Sequence, residues 1–247
     1  MPLLQHLEEL RKRLVMSVIA IAVTIAGCFF FKGRLLALLV KPLGGRHLIT
    51  LTPTESFMTT FKVSAYAGLI VASPFVIYQI WAFVAPGLKA KEKRVIYLAT
   101  VFTSLLFLSG VAFSWFLVLP RALNYLLTYQ GNFFNQQVQA STYFSFVALF
   151  MLAFGLIFEL PALILTLVRL GIVSPKWLAK NRKYAILVGA IASAALTPSQ
   201  DFVSVLAMAA PFVVLYEISI HLSKLVKKRD RVEAAGAIKG PEGEATG

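Results

Sequence analysis

Three glutamates in this chain stand where their surroundings call for an explanation. Glu159 lies inside residues 143–170, YFSFVALFMLAFGLIFELPALILTLVRL, a stretch that is apolar almost throughout. Glu9 lies in HLEELRKRL and Glu92 in KAKEKR, each among bases. An ionised acid at the centre of a membrane span costs roughly 2.5–3.5 kcal/mol on insertion scales, so such a residue usually faces protein or water. Gly155 and Ala162 lie four and three residues from Glu159, and Leu152 and Thr166 seven, with Ala148 further back. Apart from Leu152 that face is small or polar, which suits close approach by another helix. Acids among bases suggest a different chemistry. A carboxylate takes the planar fork of a guanidinium bidentately, a geometry that lysine does not reproduce. Two such acids on one surface can read two adjacent arginines. Plainer readings stand beside these. Glu159 can be a neutral, hydrogen-bonded carboxyl on a packing face, and Glu92 a solvated charge among lysines. Glu9 can simply pair with Arg13, as Glu8 can with Lys12, at i,i+4 spacing.

No Walker A loop, dinucleotide fingerprint, HExxH or GxSxG occurs, and the three histidines are scattered. Nothing in the sequence speaks for an enzyme, a metal site or a bound cofactor.

The elements that must hold these acids are membrane spans. Of 247 residues 58% are hydrophobic and 14% charged, the balance of a polytopic membrane protein. The expected fold is all-α, with six transmembrane helices, the last two short, behind an amphipathic N-terminal helix. Leu3, Leu7, Leu10 and Leu14 recur at helical spacing, so residues 2–13 predict a helix lying at the membrane surface. The predicted spans are 14–31, 63–84, 95–119, 143–170, 184–196 and 202–222, with Pro74, Pro120, Pro161 and Pro211 in or beside them. The fifth holds 13 residues and covers only about 20 Å as a helix, so it forms a shallow hairpin with the sixth. Residues 1–222 form one membrane domain. Residues 223–247 are charged, then rich in Gly, Glu and Ala, and predict a disordered tail.

A net charge of +13 would suggest nucleic acid in a soluble chain. Here the bases sit in short runs between apolar spans, which fits orientation in a bilayer and excludes a nucleic-acid partner. Only Lys32, Arg34, Lys41, Arg46, Lys62 and Arg121, of 24 bases, fall on the side opposite the termini. The positive-inside rule then puts both termini in the cytoplasm. The lone Cys28 permits no intrachain disulfide. No small-residue cleavage site follows Phe31, so the first span reads as a retained anchor.

HLEELRKRL, SPFVIYQIWAFVAPGLKAKEKR, AFGLIFELP and LTPSQD, in this order and spacing, resemble the twin-arginine translocase C subunit family, TatC. The resemblance covers about residues 3–222. It implies a six-span receptor in the bacterial cytoplasmic membrane that binds signal peptides with consecutive arginines. It further implies TatA- and TatB-type single-span partners and export of folded proteins by the protonmotive force, and leaves self-association open. Carried over by motif, Glu9 and Glu92 contact the arginine pair, and Arg11, Gln79 and Phe83 shape that surface. Arg94 matches less closely. Glu159, in FELP, matches the intramembrane acid associated with TatA-type partners.

Two other functions remain to be weighed. A proton- or ion-coupled transporter could use Glu159 and Glu217 as ion sites. ASPFVIYQI and AAPFVVLYEI are alike, but the match is too short for an inverted repeat. A purely structural scaffold leaves Glu159 unexplained.

Overall fold

A computed structural model describes residues 3–84, 93–128, 137–196 and 202–238. The architecture is almost wholly helical. α1 (Leu3–Phe30) is a single helix of 28 residues. The surface helix and first span expected as two pieces are one, because no Gly or Pro separates them. α2 (Lys32–Val40) and a 3-10 turn (Lys41–Leu43) follow. α3 (Glu55–Val84) starts eight residues ahead of its expected apolar core and passes through Pro74 unbroken. A proline frees the carbonyl four residues back. That carbonyl, of Ile70, accepts a 2.7 Å bond from Ser73 Oγ.

The third span differs from expectation at its far end. α4 (Lys93–Phe113) runs into a π turn (Ser114–Val118) and on into α5 (Leu119–Thr128). Residues 121–128, beyond the expected end of the third span at 119, are therefore helical. The π turn passes the chain over Pro120, with Leu119 N–H bonded to Ser114 O, and Arg121 Nη1 bonds Leu117 O at 2.7 Å. Leu119, Ala122 and Leu123 are buried on the inner face of α5.

The stretch 143–170 is likewise not one helix. α6 (Ala140–Phe158) and α7 (Leu160–Arg169) meet at Glu159. Pro161 has no N–H to give Ile157, and the chain tightens there, with Glu159 N–H on Leu156 O at 3.1 Å. α8 (Pro175–Lys180), capped by Ser174, leads to α9 (Arg182–Leu196) and α10 (Phe202–Ile238). α10 carries on beyond Leu222, where a structureless tail was expected. Its extension, SKLVKKRDRVEAA, is rich in helix formers and lacks proline and glycine.

Among the described residues, five helical stretches are long and apolar enough to cross a membrane, against the six expected: 5–30, 55–83, 97–128, 140–169 and 202–225. α9, at 15 residues, is the sixth candidate and falls short. Of the loop expected over 85–94, residues 85–92 lie outside the described residues and 93–94 begin α4; the TPSQD turn lies outside them too.

The core sits on α6. Val147, Phe150 and Phe154 are fully buried, and the rings of Phe146, Phe150 and Phe154 follow one another at 5.1 and 5.0 Å. A small cap closes one end. There β1 (Leu48–Ile49) pairs in parallel with β2 (Val138–Gln139), Leu48 opposite Val138. Glu55 lies beneath it. Its carboxylate accepts from Leu51 N–H at 2.7 Å and Ser141 N–H at 3.0 Å, tying the start of α3 to the start of α6.

Candidate functional site

α1 and α3 are joined first at mid-length. A Cβ on Gly68 would lie 2.7 Å from the Ile25 backbone, so only glycine lets the two main chains approach this closely. Thr24 Oγ1 seals the crossing with a 2.9 Å bond to Gly68 O. From there the amino end of α1 runs beside the carboxyl end of α3, and a polar cluster forms. Arg13 reaches Glu9 Oε1 with Nη2 at 2.6 Å and Nε at 3.0 Å. Its third nitrogen, Nη1, donates to Gln79 Oε1 at 3.2 Å. Gln79 is buried, whereas the Glu9 and Arg13 side chains are 26% and 24% exposed. One turn further out the His6 ring stacks on Phe83 at 4.4 Å and 19°.

Glu9, Gln79 and Phe83 thus come together. Arg11 does not join them: it is exposed and lies about 200° around α1 from Glu9. Glu92 lies outside the described residues, and the side chain of Arg94 is not described. Arg13 and His6, both within HLEELRKRL, are members of the cluster to which the carry-over by motif gave no role. The i,i+4 pairing of Glu9 with Arg13 is present, and that of Glu8 with Lys12 is not among the ion pairs of the described residues.

The second region is a groove of about 620 Å³ along α3, α4, α6 and α7. Val76, Ile80, Leu152, Leu156 and Leu163 form apolar walls, and Glu159 lies among them at the α6–α7 break. A smaller recess of about 110 Å³, bounded by Trp81, Thr166 and Arg169, shares part of this wall. The wall's hydroxyls are satisfied within the protein. Thr103 Oγ1 accepts from Trp81 Nε1 at 3.0 Å and donates to Ala99 O, and Thr166 Oγ1 donates to Ala162 O. Glu159 differs: its Oε1 is buried and meets no hydrogen-bond donor among the described residues.

The small-residue face expected around Glu159 is divided. Leu152, Ala162 and Thr166 line the groove with it. Gly155 instead abuts α4, where a Cβ would lie 2.7 Å from the Phe107 ring, and Ala148 is buried. Glu217, the other acid weighed as an ion site, pairs with Arg182 Nε at 3.0 Å.

The architecture and its acid-bearing groove define a multi-pass helical membrane protein. Comparison with known families makes this particular: the family described as Sec-independent protein translocase protein (TatC) matches residues 5–211, and the chain belongs to it. It is accordingly a transport component rather than an enzyme. The TatC protein of Carboxydothermus hydrogenoformans is 40% identical over 232 residues, covering 93% of this chain and 96% of the relative. That of Helicobacter pylori strain J99 is 41% identical over 221 residues, covering 90% and 88%. A chloroplastic TATC of Arabidopsis thaliana is 38% identical, covering 87% of this chain and 64% of the relative. A crystal structure of the twin-arginine translocase receptor TatC matches with a TM-score of 0.82 at 37% identity, over 90% of this chain and 99% of that one.

Proposed function

We propose that this protein is the signal-peptide receptor and core subunit of a twin-arginine translocase in the bacterial cytoplasmic membrane. Glu9, together with Glu92, receives the consecutive arginines of a signal peptide, and Gln79 and Phe83 shape the surface around Glu9. A TatA- or TatB-type single-span helix docks in the groove and gives Glu159 a polar partner. Folded cargo is exported by the protonmotive force, a feature that rests on the family resemblance alone.

The observation that carries this reading is the Glu9–Gln79 pair. A carboxylate and an amide oxygen from different helices are already arranged around a guanidinium. The chemistry that holds Arg13 is the chemistry that a signal arginine requires. Support for the second half comes from Glu159. A carboxyl oxygen without a donor in an apolar wall is costly, and a polar side chain on an incoming helix relieves that cost.

The proposed topology has six spans and cytoplasmic termini. The bases support the orientation. α9 supplies the sixth span at about 22 Å, and the bilayer thins beside it. Residues 1–222 act as one membrane domain. The transporter reading loses ground because Glu217 is held in an ion pair near Arg182 rather than beside Glu159 in the groove.

The deciding experiment measures retention of a fluorescent twin-arginine signal peptide by the purified, detergent-solubilised chain, with a twin-lysine version as comparison. Preferential retention of the arginine peptide, lost in Glu9→Gln, is the expected result. Equal retention of both peptides overturns the receptor reading.

A further inference from the structure

Arg13 belongs to the receptor itself, yet it occupies the acid that an incoming arginine needs. We infer that Arg13 is a built-in competitor, a tethered guanidinium that holds Glu9 at rest and that a signal arginine must displace; this rests on the receptor reading of Glu9 above.

The contacts fit an exchange. Two of the three Arg13 nitrogens fall on one oxygen of Glu9 and the third on Gln79, so a second guanidinium in the same place would meet the same acceptors. The site is open enough to exchange, since both charged side chains keep about a quarter of their surface in water. Its hold is also weak enough. An i,i+4 ion pair on a helix favours the closed form by only about twofold. The bond to Gln79 is charge-assisted but long, at 3.2 Å, and raises this to about tenfold or somewhat more, the low end for a bond to a charged group in a site open to water. A helix-stabilising pair would not need Gln79, which is buried and comes from another helix.

A competitor differs from a positioning residue in the sign of its effect. If Arg13 only shaped the site, removing it would weaken peptide binding. As a competitor, its removal strengthens binding. Because Arg13 excludes every ligand alike, twin-arginine and twin-lysine peptides gain by the same factor. Their ratio stays fixed by the acceptors Glu9 and Gln79. At rest Arg13 neutralises Glu9, and a stray base must pay the displacement cost before it binds.

The test uses the full-length chain in detergent and fluorescence polarisation of both synthetic peptides. Arg13→Gln and Arg13→Met are expected to bind each peptide about three- to tenfold more tightly, with the arginine-to-lysine ratio unchanged. Arg13→Lys, which keeps the charge but not the fork, should fall between these and the wild type. Lys12→Gln removes the same charge from an exposed neighbour and should change affinity less than twofold. In the Glu9→Gln background, Arg13→Gln should gain less than it does alone, because only the Gln79 part of its hold is left to lose. Unchanged or weaker binding by both Arg13 variants, each shown to melt like the wild type, overturns the exchange. So does a gain in Lys12→Gln equal to that in Arg13→Gln, which would reduce the effect to the general field. If Glu9→Gln alone leaves peptide binding intact, the receptor reading falls, and the exchange falls with it. Loss in Glu9→Gln without gain in the Arg13 variants removes the exchange only.

Discussion

Glu9 and Glu159 are the same side chain in opposite circumstances. Glu9 sits at the end of two helices, partly in water, and carries a guanidinium on its Oε1. Glu159 sits at a helix break in an apolar groove, and its buried Oε1 has no donor among the described residues. Water and Arg13 make the first acid cheap to hold and easy to exchange. Nothing in the described protein does this for the second. The fold satisfies Thr103, Thr166 and Trp81 within the same wall and leaves Glu159 Oε1 unmet, which fits the proposed docking of a partner there. The contrast suggests two kinds of recognition: exchange of like for like at the membrane surface, and completion of an unmet bond within the bilayer.

The strongest way to break this contrast is at Glu159. Glu159→Ala should cut partner crosslinking and export by about tenfold or more, the worth of a buried hydrogen bond to a charged or polar partner. It should leave twin-arginine peptide binding at wild-type strength, because Glu9 is untouched. Glu159→Gln keeps a donor and an acceptor and should retain part of the activity. Wild-type export by Glu159→Ala would end the argument that the groove awaits a partner. At the other acid, Glu9→Gln should weaken peptide binding about tenfold, the low end for a charge-assisted bond in a site open to water. Export should fall in step with it, while crosslinking of the resting complex to a single-span partner should persist. If both acids affected both measurements equally, the division of labour would be wrong.

Much of this arrangement was legible in the sequence, and the rest was hidden for identifiable reasons. Long apolar runs marked the five spans long enough to cross among the described residues, and the i,i+4 rule marked Glu9 with Arg13. Spacing could not say which side of α6 meets α4. Residues 148, 155 and 162 form one seven-residue stripe and 152, 159 and 166 another. The two lie side by side on a helix, so i,i+3 and i,i+4 counting merges them. Packing separates them only along α6: Gly155 goes to Phe107 and Glu159 to the groove, whereas Ala162, beyond the α6–α7 break, lines the groove as well. Prolines misled in a different way. Pro120 suggested a stop, yet a π turn and Arg121 carried the helix past it. Pro161, inside an expected helix, marked the real break. That Gln79 meets Arg13 needed a contact from α3 to α1, sixty-six residues away, which no local pattern predicts.

The separation of the stripes gives a structural test. Gly155→Leu drives a side chain into Phe107 and should destabilise the protein by about 1–3 kcal/mol, read as a lower melting temperature. Ala162→Leu, on the groove side, should instead narrow the groove and weaken partner crosslinking with less loss of stability. Should Gly155→Leu melt like the wild type while blocking crosslinking, the partner would dock on the Gly155 side of α6 instead.

Glu217 completes the comparison as a third acid and predicts the smallest effect. It combines the features that make an acid inconsequential: a lysine- or arginine-type partner, Arg182, at 3.0 Å, and side chains 44% and 34% exposed. Pairs of this kind contribute about 0–1 kcal/mol, since water and salt replace most of what the partner gives. Tyr216 next to it already ties α10 to α8 through a 3.1 Å bond to Leu178 O, so the helix is held in place without the pair. Glu217→Gln and Arg182→Gln should therefore leave peptide binding and partner crosslinking near wild type. Melting temperature should shift by only a few degrees at most. The double variant should differ little from either single one, since each removes the same pair. An ion-coupled transporter with Glu217 as a site would behave otherwise: neutralising it would abolish function however little it changed stability. A large loss of export in Glu217→Gln, with binding and stability intact, would revive that reading. It would also show that exposure and a basic neighbour are not enough to tell a structural acid from a working one.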